Sequence, residues 1–494
     1  MTTPEQPSSL PPALDVLGSP EPAARSGRRS GLVAALVGAG ALAVAGTAVA
    51  AASLLGGGGA QPEAVLPADA FAVLKVDLDP AAGQKVAVYR LSQRFPSLAE
   101  KVRDQDEVKD QLLSALFEDV EELDYERDVA PWIGDRVAIA AVPGNDEPQP
   151  LAAVAYDDRA AAEDALERLA AEQEELTYAF SENADYVLLG MTQATVDAAA
   201  GTDRVLADVD VWKDGDDALD GDQIVTAWAD LGAFWASLPL EARDQAEEMY
   251  GITADFEVDG LAVAGLSASS DGLELVGRAL DVQSPLAEQS LLGAGEGGNL
   301  VQGLPKDTVA ALSVTGLGAG LEQMFDAVYG EDDPMGLVAS AQEAGLSLPD
   351  DLRPLLGEET VGALLGQEDF GVRVRSQDPD GSYDVLTRIA SFAGLDDSTL
   401  RKLDDGFAAG STPEALEAMT GDGGLGETAA FRDAAPDADG AGYVVYVDIA
   451  RLWEMFGDPE DEIAEDVEQL QSIGVTGSSD GRDSTVRARL TVRD

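Results

Sequence analysis

One run of the chain carries no charge at all: Gly31 to Leu55, GLVAALVGAGALAVAGTAVAAASLL. As a helix rising about 1.5 Å per residue it would be about 37 Å long, enough to cross a bilayer with some tilt. Beyond it the pattern changes. Short runs that alternate or are wholly apolar, FAVLKVDL, RVAIAAV, QIVTAWA, TVAALSV, TVGALLG and YVVYV, are bounded by Gly, Pro and Asp and predict strands. Helical periods lie between them. Leu231, Phe234, Trp235 and Leu238 fall at i, i+3, i+4 and i+7, and Ile449, Leu452, Trp453 and Phe456 repeat that face. Both stripes predict a short helix with a buried tryptophan.

The elements recur in order. Leu66-Pro67-Ala68-Asp69 opens one strand and Leu304-Pro305-Lys306-Asp307 another. Pro131-Trp132-Ile133-Gly134 precedes a strand, as does Pro354-Leu355-Leu356-Gly357. Thr192 stands before QATVDAAA and Thr412 before PEALEAM; Asp230 and Asp448 stand where a strand hands over to a helix. These four side chains suit the N-cap, where an oxygen accepts from a free N–H of the first turn. Asp271-Gly272 and Asp480-Gly481 read as hairpin turns. The ordered set predicts an internal duplication, with copies at 64–290 and 300–494. Hairpins interleaved with helices predict an α+β class with mainly antiparallel sheets, two tandem similar repeats behind an N-terminal transmembrane helix.

The ends add an address. Residues 1–30 are rich in Pro and Ser with no apolar period, which predicts a disordered tail. Arg25, Arg28 and Arg29 flank the apolar run and place that tail in the cytoplasm. An uncleaved anchor over 31–55 is the favoured expectation. The segment is rich in Ala and Gly, however, and Ala48-Val49-Ala50 has the form of a signal cleavage site, so a cleaved leader stays open. Residues 56–63, beginning Gly56-Gly57-Gly58-Gly59, read as a flexible tether. The expected place of the rest is outside the cell membrane, facing away from the cytoplasm.

Charge narrows the partners. Net charge is −62, and in residues 1–55 Glu5, Asp15 and Glu21 are cancelled by the three arginines. The excess therefore lies beyond the apolar run, where it repels nucleic acid and favours cationic partners or divalent ions. The chain has no Cys and no His. Disulfides, thiolate chemistry, imidazole metal ligands and Ser-His-Asp triads are excluded. Carboxylate, Lys or Tyr chemistry and oxygen-ligated cations remain.

Candidate motifs are weak. Gly421-Asp422-Gly423-Gly424-Leu425-Gly426-Glu427-Thr428 has phosphate-loop spacing, but it follows a helix and puts Glu427 where a lysine is needed, so a helix-end turn is the better reading. Gly316-Leu317-Gly318-Ala319-Gly320 lies between a strand and a helix with spacing wrong for a dinucleotide. Acids cluster at Asp214, Asp216, Asp217, Asp220 and Asp222, at Asp378 and Asp380, and at Asp437 and Asp439, none with the calcium-loop pattern. No catalytic, cofactor-binding or metal residue is assigned from sequence, and no cofactor is expected.

LPADAFAVLKVDLDPAAGQK just after the apolar run, P-W-I-G-D-R before a strand, and D-L-G-A-F-W resemble a bacterial family of membrane-anchored proteins known as domain of unknown function 3352. The resemblance runs from about Leu66 to the C-terminus. It implies an exported, anchored protein and transfers no site residue. The expectation is a non-catalytic binding or scaffold module of the cell envelope. The alternatives are a carboxylate-based hydrolase of an envelope polymer and a divalent-cation-dependent binding module.

Overall fold

The computed structural model describes residues 59–78, 82–101, 125–144, 148–172, 176–238, 243, 258–283, 297, 299–328, 337–343, 345–421, 423–458 and 463–493. The apolar run 31–55 and the tail before it lie outside the described residues. Among the described residues no helix is long and apolar enough to cross a membrane.

The strands are β1 (Ala72–Asp77), β2 (Ile133–Val142), β3 (Gln149–Tyr156), β4 (Thr177–Phe180), β5 (Tyr186–Gly190), β6 (Val225–Asp230), β7 (Asp259–Ser269) and β8 (Gly272–Gln283). They continue with β9 (Ala310–Thr315), β10 (Glu359–Leu364), β11 (Phe370–Arg375), β12 (Leu400–Leu403), β13 (Gly406–Gly410), β14 (Tyr443–Asp448), β15 (Leu470–Asp480) and β16 (Asp483–Val492). The six strands expected from sequence are β1, β2, β6, β9, β10 and β14. All sixteen form one sheet in the order β12-β13-β11-β10-β9-β14-β15-β16-β8-β7-β6-β1-β2-β3-β5-β4. The fold is a mixed one built on a large antiparallel sheet.

The sheet has a seam. At its middle β8 pairs antiparallel with β16, Leu275 opposite Ala488 and Gly277 opposite Val486. Outward from that pair, β7-β6-β1-β2-β3-β5-β4 on one side is matched by β15-β14-β9-β10-β11-β13-β12 on the other. A single sheet through the seam, rather than separate sheets, is what the sequence pattern did not foretell.

Strand alternation sorts the cores. Val73, Ala138, Leu188 and Trp228 in one half, and Val361, Ala408, Val444 and Tyr446 in the other, face the same side. Each half sets a tilted aromatic pair there: Trp212 against Trp228 at 5.3 Å and Phe431 against Tyr446 at 5.1 Å. The opposite side is covered at its outer ends by the helices Arg159–Glu172 and Pro379–Ala393. At the seam it is covered by the helix Ala82–Ser92, whose Ala87, Val88 and Leu91 meet Ala268, Leu273 and Val492.

The expected caps are present. Oxygens of Thr192, Asp230, Thr412 and Asp448 accept from the N–H of Thr195, Ala233, Ala415 and Arg451 at 3.3, 2.8, 3.1 and 3.0 Å. The hairpin turns lie between β7 and β8 and between β15 and β16. The buried tryptophan stripe is corrected. Trp235 and Trp453 are only half-buried, and Phe234 and Phe456 are 43% and 58% exposed. Ala450 is the one buried side chain of the helices Leu231–Ser237 and Ile449–Phe456, so neither stripe sinks into a core. The indoles that fill the core are Trp132, Trp212 and Trp228.

Candidate functional site

A cavity of about 250 Å³ opens at the seam. Val88, Leu91, Phe95 and Leu98 form one wall and Leu273 and Leu490 the other. In the first wall Val88 and Leu91 stand three apart on the helix Ala82–Ser92, and Phe95 and Leu98 come from the turn and the helix that follow. Pro96 opens that second helix, Pro96–Lys101, because proline suits a first helical turn and not a helix interior. The second wall exists because Gly272 lets two backbones touch. Its φ is +152°, and a Cβ there would stand 1.9 Å from the Leu490 carbonyl oxygen.

Polar groups sit at the lip. Asp466, on the short helix Ala464–Val467, lines the cavity with Ser92 and Ser97. Its Oδ1 accepts from the Ser97 N–H at 3.2 Å, which ties the two halves together. The Ser92 hydroxyl donates to the Tyr89 carbonyl at 2.9 Å, and Arg94 donates to the Arg493 carbonyl. The result is an apolar hole with one carboxylate at its edge, of a kind that holds apolar groups.

A second polar constellation lies under the entry of the chain. Lys75 on β1 meets Glu63 at 3.3 Å and stands 5.5 Å from the Trp212 ring. Asp77, two residues on, accepts from Arg136 of β2 at 3.2 Å. The Tyr186 hydroxyl donates to the Ala60 carbonyl at 2.9 Å, and burial pushes its phenol well above the usual range. In the other half Glu359, wholly buried on β10, pairs with Arg375 at 2.7 Å and accepts from Ser313 Oγ and Leu300 N–H at 3.1 Å each. Both sets clamp incoming chain. A Cβ on Gly59 would come within 3.1 Å of Arg136, and one on Gly297 within 2.0 Å of Thr315, the partner of Glu359 across β9 and β10. Buried Asp128 and Asp448 are paired too, with Arg127 and Arg451. Among the described residues the buried acids Asp77, Asp128, Glu359 and Asp448 are thus all held in ion pairs.

The motifs noted in sequence find structural duties. Gly423 packs where a Cβ would lie 2.3 Å from the Leu304 carbonyl, and Leu425 N–H donates to that same oxygen at 2.8 Å. Leu206 does likewise to Leu66 at 2.8 Å in the other half. Glu427 pairs with Lys306 at 2.9 Å, so the glycine run closes a loop on the strand entry. Its Asp422 lies outside the described residues. Gly318 sits where a Cβ would be 2.8 Å from Arg353 Cα, a close crossing of the helices Leu317–Val328 and Leu352–Leu356. Asp214, Asp216, Asp217 and Asp222 face solvent, and Asp220 pairs with Arg278 at 3.1 Å. Asp378 caps the helix Pro379–Ala393 through Gly381 N–H at 3.0 Å, Asp380 pairs with Lys402, and Asp437 meets Arg487 at 2.7 Å. Asp439 is exposed. Among the described residues no group of three or more acids converges as a metal cage would need.

A family model described as Protein of unknown function (DUF3352) matches residues 31–409. The chain belongs to this family. Nothing among curated proteins matches it. The stretch matched by the DUF3352 model starts at the first residue of the apolar run and ends in β13, so it crosses the seam and takes in the first wall of the cavity.

Proposed function

We propose that this chain is a single-pass, membrane-anchored protein of the bacterial envelope. Its folded part lies outside the cytoplasm and acts as a non-catalytic binding module built from two tandem copies. The copies are 64–290 and 300–494, behind a tail at 1–30, an anchor at 31–55 and a tether at 56–63 whose last residues, from Gly59 to Glu63, are held against the fold. The observation that carries the binding role is the apolar cavity between the two halves, closed by residues from both. Support for tandem copies comes from the matched strand order on either side of β8–β16, the paired caps and the two aromatic pairs. Support for the anchor comes from the uncharged run, its arginine flank and the start of the family match at residue 31.

The native chain has no cysteine, which makes one engineered thiol a clean reporter. Ser97→Cys places that thiol at the cavity lip. In the full-length protein held in native membranes, decan-1-ol should slow alkylation of the thiol at a fixed free concentration. Unchanged alkylation with every apolar additive would remove the binding role. Protease added to intact spheroplasts should digest the region after Gly56 and spare the tail. Recovery of intact full-length protein in the soluble cytoplasmic fraction would remove the anchor.

A further inference from the structure

We infer that the seam cavity takes a single alkyl chain that carries a positively charged amino head group. This rests on the binding role proposed above and names the ligand class for that site. The tail is set by the walls. An apolar hole of about 250 Å³ exceeds the ~150 Å³ that holds a benzene-sized group in a protein core. Val88, Leu91, Phe95, Leu98, Leu273 and Leu490 offer it methyl groups and a ring edge, with no hydrogen-bonding atom to satisfy. The head is set by the lip. The Ser92 hydroxyl and the Ser97 N–H are already engaged as donors, which leaves the Ser97 hydroxyl as a neutral donor and Asp466 as the charge of the described lining. Arg94 is turned to the Arg493 carbonyl, outside the lining. Asp466 keeps a second carboxylate oxygen beyond the one that holds Ser97, and it lies in the lining. A head group that donates hydrogen bonds and bears positive charge meets that oxygen; a carboxylate or phosphate head meets like charge. The whole chain at −62 adds to the same preference.

The test uses the full-length Ser97→Cys protein in native membranes, with free amphiphile measured in the aqueous phase. Three series are compared at equal chain length: alkylammonium, alkan-1-ol and alkanoate. Protection of the thiol should follow that order. Within the ammonium series each added methylene should tighten protection about fourfold, the equivalent of ~0.8 kcal/mol per buried CH₂, until the cavity is filled. Asp466→Asn should erase the advantage of ammonium over alcohol and leave alcohol protection unchanged. Leu98→Trp should abolish protection in all three series while the free thiol still reacts. Equal protection by ammonium and alkanoate, or no dependence on chain length, overturns the head-group or the alkyl assignment. Absence of protection in all three series overturns the binding role itself.

Discussion

Asp230 and Asp448 each end a strand and start a helix with one carboxylate oxygen. The same two residues show how position fixes value. Asp230→Ala should cost about 1 kcal/mol in urea unfolding, as a lost cap does. Asp448→Ala should cost more, because its second oxygen pairs with Arg451 at 3.1 Å and its side chain is 8% exposed. Aromatic residues follow the same logic. Trp228→Ala and Tyr446→Ala, at 4% and 1% exposure, should each cost on the order of 3–5 kcal/mol, and Trp235→Ala and Trp453→Ala clearly less. Equal losses at all four positions would contradict the burial pattern. Tyr186 and Tyr446 also carry a pH signature. Burial raises both phenols above the ~10 of an unfolded tyrosine. A raised acid holds its proton longer in the folded state, so this contribution is complete below pH ~10 and is lost as pH climbs past it. An alkaline absorbance titration should therefore keep Tyr186 and Tyr446 among the tyrosines that stay protonated until the protein unfolds; Phe substitution at each should lower that late amplitude by one tyrosine.

At the scale of elements, β8 carries two glycines with opposite duties. Gly272 has φ +152° and a backbone oxygen 1.9 Å from where its Cβ would be; Gly277 has nothing within 4 Å. Gly272→Ala should cost about 3 kcal/mol or more, since neither backbone at the seam can retreat. Gly277→Ala should fall within about 1 kcal/mol of wild type, on the stabilising side, because alanine restricts the unfolded chain. Thermal melts of the pair decide it, and a stable Gly272→Ala would mean that β8 and β16 do not meet as described. The contrast also marks how far sequence reaches. Strands β1, β2, β6, β9, β10 and β14, the four caps and both hairpin turns are written locally, in periods and in single side-chain oxygens. The pairing of β8 with β16 is not, because alternation says which face a residue takes and nothing about which edge finds which. The tryptophan stripes misled for a related reason. A helical period reports one apolar face and not how deeply the fold covers it, and the faces that hold Trp235 and Trp453 are only partly covered. The cavity was not foreseen. Val88 and Leu91 make a single helical step, Phe95 and Leu98 come from beyond that helix, and Leu273, Asp466 and Leu490 reach the cavity only through the fold.

At the scale of the whole molecule, charge sets the terms. With −62 spread over the region beyond residue 55, self-repulsion opposes the compact state. The melting temperature should rise as salt increases toward ~0.15 M, where the Debye length falls to ~8 Å. Na⁺ and Ca²⁺ at matched ionic strength should act alike if the effect is screening. Saturation at low Ca²⁺ would instead mark a specific cation site. On the proposed reading, the acidic exterior and the apolar cavity belong to a protein held at the membrane, with an apolar group bound between its halves. The most direct measurement is mass spectrometry of small molecules released from the full-length protein after gentle extraction from its own membranes, beside Leu98→Trp prepared identically. The account predicts an amine-bearing, single-chain amphiphile released by the wild type in near-stoichiometric amount and depleted at least tenfold in the variant. Equal release from both proteins, or a ligand with an anionic head, would contradict it.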